Sequence, residues 1–249
     1  MDERNEKIGA DAKMYIRTSE KVENFWYHYK WHTIVAVFVL VVGVILTLQL
    51  CTKADYDVHV IYAGEKIIRN TSLSGDGKTE YSDLTSALGT IGKNAENGEN
   101  VNVNLQNIYI LSEKELAEKN KETTDPMQKA RLESEMQANY DTLYESIMYG
   151  DYYLCFLSED VFLDYESRLT SSIFAPISGY TADGVEYSYA SERGIYLSSL
   201  DAYESTSLSM LPADTVVCIR LPGVLGARDD GKAYAAAEDV LRKILAYNE

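Results

Sequence analysis

The 249 residues include only three Cys, four Pro, three His and two Trp, and each scarcity removes a class of chemistry. Cys51, Cys155 and Cys218 form no CxxC pair, which argues against a zinc or dithiol site. Beyond residue 50 the only His is His59, so a Ser–His–Asp arrangement would depend on that one side chain. No GxSxG elbow, HExxH pair, phosphate-binding GxxxxGK[ST] loop or GxGxxG turn occurs. Asp76, Asp229 and Asp230 lie beside Gly and read as turns, because the twelve-residue spacing of a calcium loop is missing. Both Trp fall within the first 31 residues, leaving no indole further on to stack against a sugar. Four Pro and no low-complexity tract argue against disorder. The expectation is no catalytic residue, no metal and no cofactor, hence a binding or interaction protein and not an enzyme.

Positive charge is short as well, with 23 Lys and Arg against 39 Asp and Glu and a net charge of −16. The six basic and six acidic residues before His32 cancel, so the whole deficit falls on the rest of the chain. Such a domain is repelled by nucleic acid and by anionic lipid, and neither is an expected partner.

What the chain does have is one uninterrupted apolar run, Thr33 to Leu50. At about 1.5 Å per residue its 18 residues rise about 27 Å, and with the flanking Trp31 and Cys51 it matches a hydrocarbon core about 30 Å thick. A cleaved secretory signal is shorter and begins nearer the N-terminus, and a lipid-modified Cys51 would want a small residue where Leu50 stands. A soluble helix would show a polar face somewhere along five turns. Trp26, Tyr27, Tyr29 and Trp31 form an aromatic belt at the first edge. Lys13, Arg17, Lys21 and Lys30 before the run, against Lys53, Lys66 and Arg69 after it, place the N-terminus inside. The expected organisation is a cytoplasmic head over 1–32, a single-pass transmembrane helix over 33–51 contacting the bilayer, and an extracytoplasmic domain over 52–249 at the cell membrane.

Periodicity then predicts the body. Residues 55–62 read as a strand ending at Ala63-Gly64, 81–91 as an amphipathic helix stopped by Gly92, and 101–110 as a half-buried strand. Ser112 and Glu115 have capping-box spacing for a helix over 113–121, and Asp125-Pro126 opens a long helix ended by Gly150. Tyr152 to Leu157 is apolar without alternation, as a strand buried on both faces requires. A helix over 159–169, a short strand at 194–197 leading into a Ser-rich loop, a strand at 215–221 and a closing helix over 233–247 follow. The class is α/β: a mixed, largely parallel sheet with helices on both faces. Cys155 and Cys218 sit in two of the strands and read as buried thiols, with a disulfide between them as the alternative. The 17 of 20 Tyr that follow the apolar run allow a recognition surface near Tyr180, Tyr187 and Tyr189, the plainer reading being core and rim filler.

Three segments carry a resemblance: Tyr62-Ala63-Gly64 after the first strand, Ile147-Met-Tyr-Gly-Asp151 followed by Tyr-Tyr-Leu-Cys-Phe-Leu-Ser158, and Arg193-Gly-Ile-Tyr-Leu-Ser198. Together they make the body similar to bacterial extracytoplasmic solute-binding proteins of the periplasmic binding protein type II class. The resemblance implies a two-lobed fold, here with the second lobe reduced or the cleft absent because the body is shorter than family members; a cleft, if formed, falls at the carboxyl ends of parallel strands. It nominates Tyr62, Gly64, Ser158 and Ser198 as ligand-binding, with Arg193 as the cation for an anionic ligand. The plainer readings are a turn at Gly64, a helix cap at Ser158 and a salt bridge at Arg193. The function this implies is a membrane-anchored binding or sensing module for a small solute, accessory to a transport or envelope complex; the alternative is an anchored interaction scaffold that binds no ligand. Protease added to intact cells is expected to digest residues 52–249 and spare the head, and cleavage of the head alone would invert the topology.

Overall fold

The computed structural model describes residues 26–27, 29–47, 56–71, 78–93, 98–168, 173–182, 184–223 and 231–247. Most of the head, Leu50, Cys51 and the turn residues Asp76, Asp229 and Asp230 lie outside them. The chain divides into two compact units, 1–54 and 55–249, each described by itself.

In the first, helix α1 (Tyr29–Thr47) has 19 residues, a mean hydropathy of 2.0 and no buried residue in its apolar stretch. Among the described residues it is the one helix with the length and composition to cross a membrane, as an anchor or a signal sequence. Its Thr47 hydroxyl donates back to Gly43 O at 2.8 Å, which leaves no unsatisfied hydroxyl at that end of the apolar surface.

The second unit is α/β. Its strands are β1 (Val58–Gly64), β2 (Val103–Tyr109), β3 (Leu154–Ser158), β4 (Tyr189–Ser191), β5 (Gly194–Tyr196) and β6 (Thr215–Ile219). They form one open sheet in the order β2-β1-β3-β6-β5-β4. β1 pairs in parallel with β2 and with β3. The pairs β3–β6, β6–β5 and β5–β4 are antiparallel, so the sheet is mixed, with two parallel and three antiparallel pairings, and not largely parallel. The cause is connection length: a two-residue turn at Glu192-Arg193 joins β4 to β5, which forces antiparallel pairing, and the chain from β5 to β6 returns from the same edge without crossing the sheet.

Helices α2 (Glu80–Ile91) and α7 (Gly231–Leu245) cover one face, and α4 (Pro126–Tyr149) and α5 (Glu159–Arg168) the other. β3 shows why its apolar run is unbroken: Leu154 and Phe156 enter the α2/α7 core while Cys155 and Leu157 enter the α4/α5 core. Local signals set the helix starts. Ser112 and Glu115 form the expected capping box on α3 (Glu113–Glu122), and Asp125 accepts from Met127 N–H with Pro126 opening α4. The Ser-rich stretch after β5, expected as a loop, is instead two 3-10 turns (Leu197–Ser199, Ser207–Met210) flanking α6 (Asp201–Ser205), because Leu197, Leu200, Ala202 and Leu208 bury into the α2/α7 core.

Cys155 and Cys218 are register partners across β3 and β6 and are free, buried thiols, with burial pushing the Cys218 thiol up. Arg220, fully buried just after β6, donates to Gly150 O at 2.9 Å at the C-terminal end of α4 and stacks on the Tyr153 ring at 4.3 Å, where the helix dipole favours a cation. Gly194 opens β5 because a Cβ there would lie 2.7 Å from Phe162 Cζ and would also collide with Val216. Gly194→Ala is therefore expected to cost about 1–3 kcal/mol by overpacking, read as a lowered urea midpoint of the full chain in detergent.

Candidate functional site

β1 points Val58, Val60 and Tyr62 into the α2/α7 core, and Gly64 continues that face at the strand's carboxyl end. Gly64 is not a turn residue. It closes the strand, is bound through its carbonyl by Ile110 N–H at 2.9 Å, and is the place where the Tyr62 phenol lies. A Cβ at Gly64 would meet Tyr62 Oη at 2.8 Å and would sit 3.4 Å from Ser158 Cβ. Tyr62, Gly64 and Ser158, three of the five residues expected from the sequence, thus meet at one point on the carboxyl edge. Thr215 of β6 joins them as the register partner of Ser158.

Two hydroxyls at this point are poorly satisfied. Tyr62 and Thr215 are fully buried, and among the described residues Thr215 Oγ1 has no hydrogen-bond partner while Tyr62 Oη has no side-chain partner and is approached only by the Lys66 backbone N–H. Burying a hydroxyl unpaired costs on the order of 1–3 kcal/mol, so such groups are rare unless something else supplies the partner.

The surrounding rim is acidic, and sequence reasoning missed it. Glu65 follows β1, Glu115 stands in the first turn of α3, Glu159 opens α5 and Asp214 precedes β6. Their separation, up to about 150 residues along the chain, left no local pattern to find; Glu115 was visible only as a cap. The Glu65 and Glu115 carboxyls face one another in hydrogen-bond reach. That contact, then burial, raises the Glu65 pKa above the ordinary carboxylate value. At Glu115 burial acts upward, yet the hydrogen bonds from Glu65 and from Ser112 outweigh it and hold its carboxyl below that value. Asp214 is raised by burial and by the charges of Glu115, Glu159 and Asp160, against a lowering backbone hydrogen bond. Tyr196 Oη donates to Glu159 Oε1 at 2.6 Å, which pushes the phenol up to about 12. Burial dominates the upward shift of Tyr62, with Asp214, Glu65 and Glu115 adding to it and the Lys66 backbone opposing it.

The other two expected residues are placed differently. Ser198 stands at the same edge, but its hydroxyl donates to Ala213 O at 2.7 Å and fixes the loop before Asp214. Arg193 lies in the β4–β5 turn, toward the opposite edge, 3.7 Å from Glu166 in an ion pair. Two of the three clustered tyrosines have a packing role, since Tyr180 Oη bonds Tyr234 Oη at 2.8 Å and Tyr187 Oη donates to Leu245 O at 3.0 Å, stapling this segment to α7, whereas Tyr189 is exposed. His59 contacts Asn104 Nδ2 through Nδ1 at 3.0 Å and meets the Tyr56 and Tyr152 rings edge-on. Away from the carboxyl edge, a half-open groove of about 390 Å³ runs between α3, α4 and α5, lined by Tyr140, Tyr144, Tyr165 and Arg168. Among the described residues no three His, Cys, Asp or Glu side chains are grouped to hold a metal ion.

Comparison with protein-family models, curated proteins and solved structures finds no match for this chain. The site therefore rests on its own chemistry.

That chemistry has a pH signature. Glu65 and Asp214 hold their protons more tightly folded than unfolded, so the stability they contribute is full at low pH and is lost as pH rises through their raised values. Glu115 does the opposite, contributing above the ordinary range and losing that contribution as pH falls through its lowered value. The urea midpoint of the full chain is expected to decline from about pH 4.5 toward neutrality, with Glu65→Gln flattening the decline. A midpoint that climbs steadily over that range would contradict the proton held at this edge.

Proposed function

We propose that the chain is a membrane-anchored extracytoplasmic binding module that takes a small solute at the carboxyl edge of β1 and β3, beside the amino end of β6, serving as a sensor or as an accessory to a transport or envelope complex. The observation that carries this reading is the pair of buried hydroxyls of Tyr62 and Thr215, neither met by a side-chain partner, beside Gly64 and Ser158. A polar ligand atom would supply the missing partner. The position supports it too, since crevices at the carboxyl ends of parallel strands collect the N-termini of the following helices, here α3 and α5. On this reading α1 is a retained tether, and the body is a reduced binding-protein-like fold built on one sheet.

The test uses the full chain in lipid nanodiscs, melted in the presence of amines, amino acids, sugars, carboxylates and short peptides. A ligand at about 100 times its Kd stabilises by about 2.7 kcal/mol, or roughly 5–10 °C for a body of this size. At least one class is expected to give such a shift, and Tyr62→Phe and Gly64→Val are expected to abolish it while leaving the far-ultraviolet spectrum unchanged. A folded chain that no class stabilises would favour the interaction scaffold, for which the tyrosine-lined groove of α3, α4 and α5 is the available surface.

A further inference from the structure

We infer that the groove between α3, α4 and α5 takes the arginine side chain of a peptide partner, at a site separate from the carboxyl edge. Its walls follow from helix spacing. Gln137, Tyr140, Asp141 and Tyr144 recur at three and four residues and so share one stripe of α4; with Tyr165 and Arg168 of α5 they line one space of about 390 Å³. Leu111 and Leu116 close the α3 side. The volume falls in the range of small-ligand sites, about 300–1,000 Å³, and the half-open form leaves one side free for a peptide backbone.

A buried hydroxyl marks the floor. Tyr165 lines the groove, is only 7% exposed, and among the described residues its hydroxyl has no hydrogen-bond partner. Unlike the oxygen of Tyr62, its oxygen is not sealed off, so it opens on the groove. The Tyr140 hydroxyl, by contrast, is directed to Leu111 O at 3.4 Å. A phenol held unpaired in this way calls for a partner from outside the chain. Charge decides whether that partner donates or accepts. Glu113, Asp141 and Asp164 stand around the groove against Arg168 alone, whose guanidinium is bonded to Asp164 and lies 3.6 Å from Glu113. Asp141 accepts from Gln137 through Oδ1 at 3.0 Å, which leaves Oδ2 for a ligand. The groove is net acidic, so an anion meets repulsion and the incoming group is a cation with N–H donors.

The rings select the cation. Tyr144, 41% exposed, and the half-buried Tyr140 offer aromatic surface in the groove. The chain already lays its own guanidiniums on tyrosines, Arg220 over Tyr153 at 4.3 Å and Arg242 over Tyr180 at 4.9 Å. A guanidinium stacked in the groove keeps its N–H groups in a fixed fork, free to bond Tyr165 Oη and the Asp141 carboxylate, whereas a lysine ammonium is a strongly hydrated point charge. An arginine within a peptide fits better than the free amino acid, which would bring its own carboxylate into a net acidic groove.

The experiment is calorimetric titration of the full chain in neutral-lipid nanodiscs with the capped peptide acetyl-Gly-Arg-Gly-amide, with the same peptide carrying citrulline, lysine or glutamate in place of arginine, and with free arginine. The arginine peptide is expected to bind at one site. Citrulline, which keeps the shape and loses the charge, should weaken binding by about tenfold, lysine and free arginine should bind several-fold more weakly, and the glutamate peptide should give no heat. Tyr165→Phe is the decisive variant: it should weaken the arginine peptide several-fold and yet leave the melting temperature unchanged or raised, because the hydroxyl it removes has no partner in the free chain. Asp141→Asn should weaken binding as well. Because the body is acidic throughout, Glu135→Gln with Glu145→Gln, exposed on α4 outside the groove, serves as the charge control and should leave binding unchanged. Equal loss in that control, citrulline or lysine binding as tightly as arginine, no binding of the peptide, or a Tyr165→Phe chain that melts lower or binds as before, overturns the inference. Free arginine binding more tightly than the peptide makes the groove an amino-acid pocket and overturns it too. Tyr62→Phe should have no effect on the peptide; if it abolishes binding, the peptide sits at the carboxyl edge, the groove assignment falls and the binding module stands.

Discussion

Everything in the body depends on β1 being held in parallel register between β2 and β3, Val60 opposite Leu105 on one side and Leu154 on the other. Two strands cannot run parallel to a third without a return path across the sheet, so the chain must make helices between them, α2 before β2 and α3 with α4 before β3. That single constraint brings the carboxyl ends of β1, β2 and β3 to one edge and starts α3 and α5 there. It also buries β1 and β3 on both faces, which is why Ile61, Ala63, Cys155 and Leu157 pack on one side while Val60, Tyr62, Leu154 and Phe156 pack on the other.

The same constraint explains how an acidic rim is tolerated. Helix N-termini carry partial positive charge, so Glu115 in the first turn of α3 and Glu159 and Asp160 in the first turn of α5 occupy favourable positions taken one at a time. Contact with Glu115 raises the Glu65 carboxyl, and burial first, then the charges of Glu115, Glu159 and Asp160, raise that of Asp214. Local helix stability and long-range repulsion pull against each other at this edge, a conflict typical of sites kept for something other than folding.

Legibility followed the range of the interaction. Ser112 with Glu115 and Asp125 with Pro126 act within four residues, and both helix starts were readable from the sequence and stand in the structure. The unbroken run through β3 reported burial on both faces because period is a local property. By contrast, the antiparallel half of the sheet arises from where the chain turns back after Ser191 and Tyr196, and a strand's apolar pattern does not encode its neighbour's direction. The 200–210 segment reads as a polar loop until Leu200, Ala202 and Leu208 are seen to find the core that its serines conceal. At the site, Tyr62, Gly64 and Ser158 were legible as strand ends. The Glu65–Glu115 contact, between residues 50 apart, was not, and Arg193 was drawn in by sequence proximity to Ser198 although three strand residues carry it away from that edge.

Where the scarce cations go decides the character of the edge. With 23 basic residues against 39 acidic, at least 16 acids must do without a partner of their own, and the fold assigns its arginines elsewhere. Arg220 is buried under Tyr153 at the end of α4, Arg193 pairs with Glu166, Arg168 bridges Asp164 and Glu113 at 66% side-chain exposure, and Arg242 pairs with Glu238 on α7. None of these reaches the point where Tyr62, Gly64 and Ser158 meet. An exposed pair such as Arg168 with Glu113 contributes little to stability, so relocating one arginine to the carboxyl edge would relieve repulsion there at small cost to the fold. The chain instead keeps the Lys66 side chain turned to Glu80 and Met210 and leaves the buried Tyr62 oxygen without a side-chain donor. A negative, acceptor-rich edge thus stands next to a buried phenol that the absence of a side chain at Gly64 makes room for.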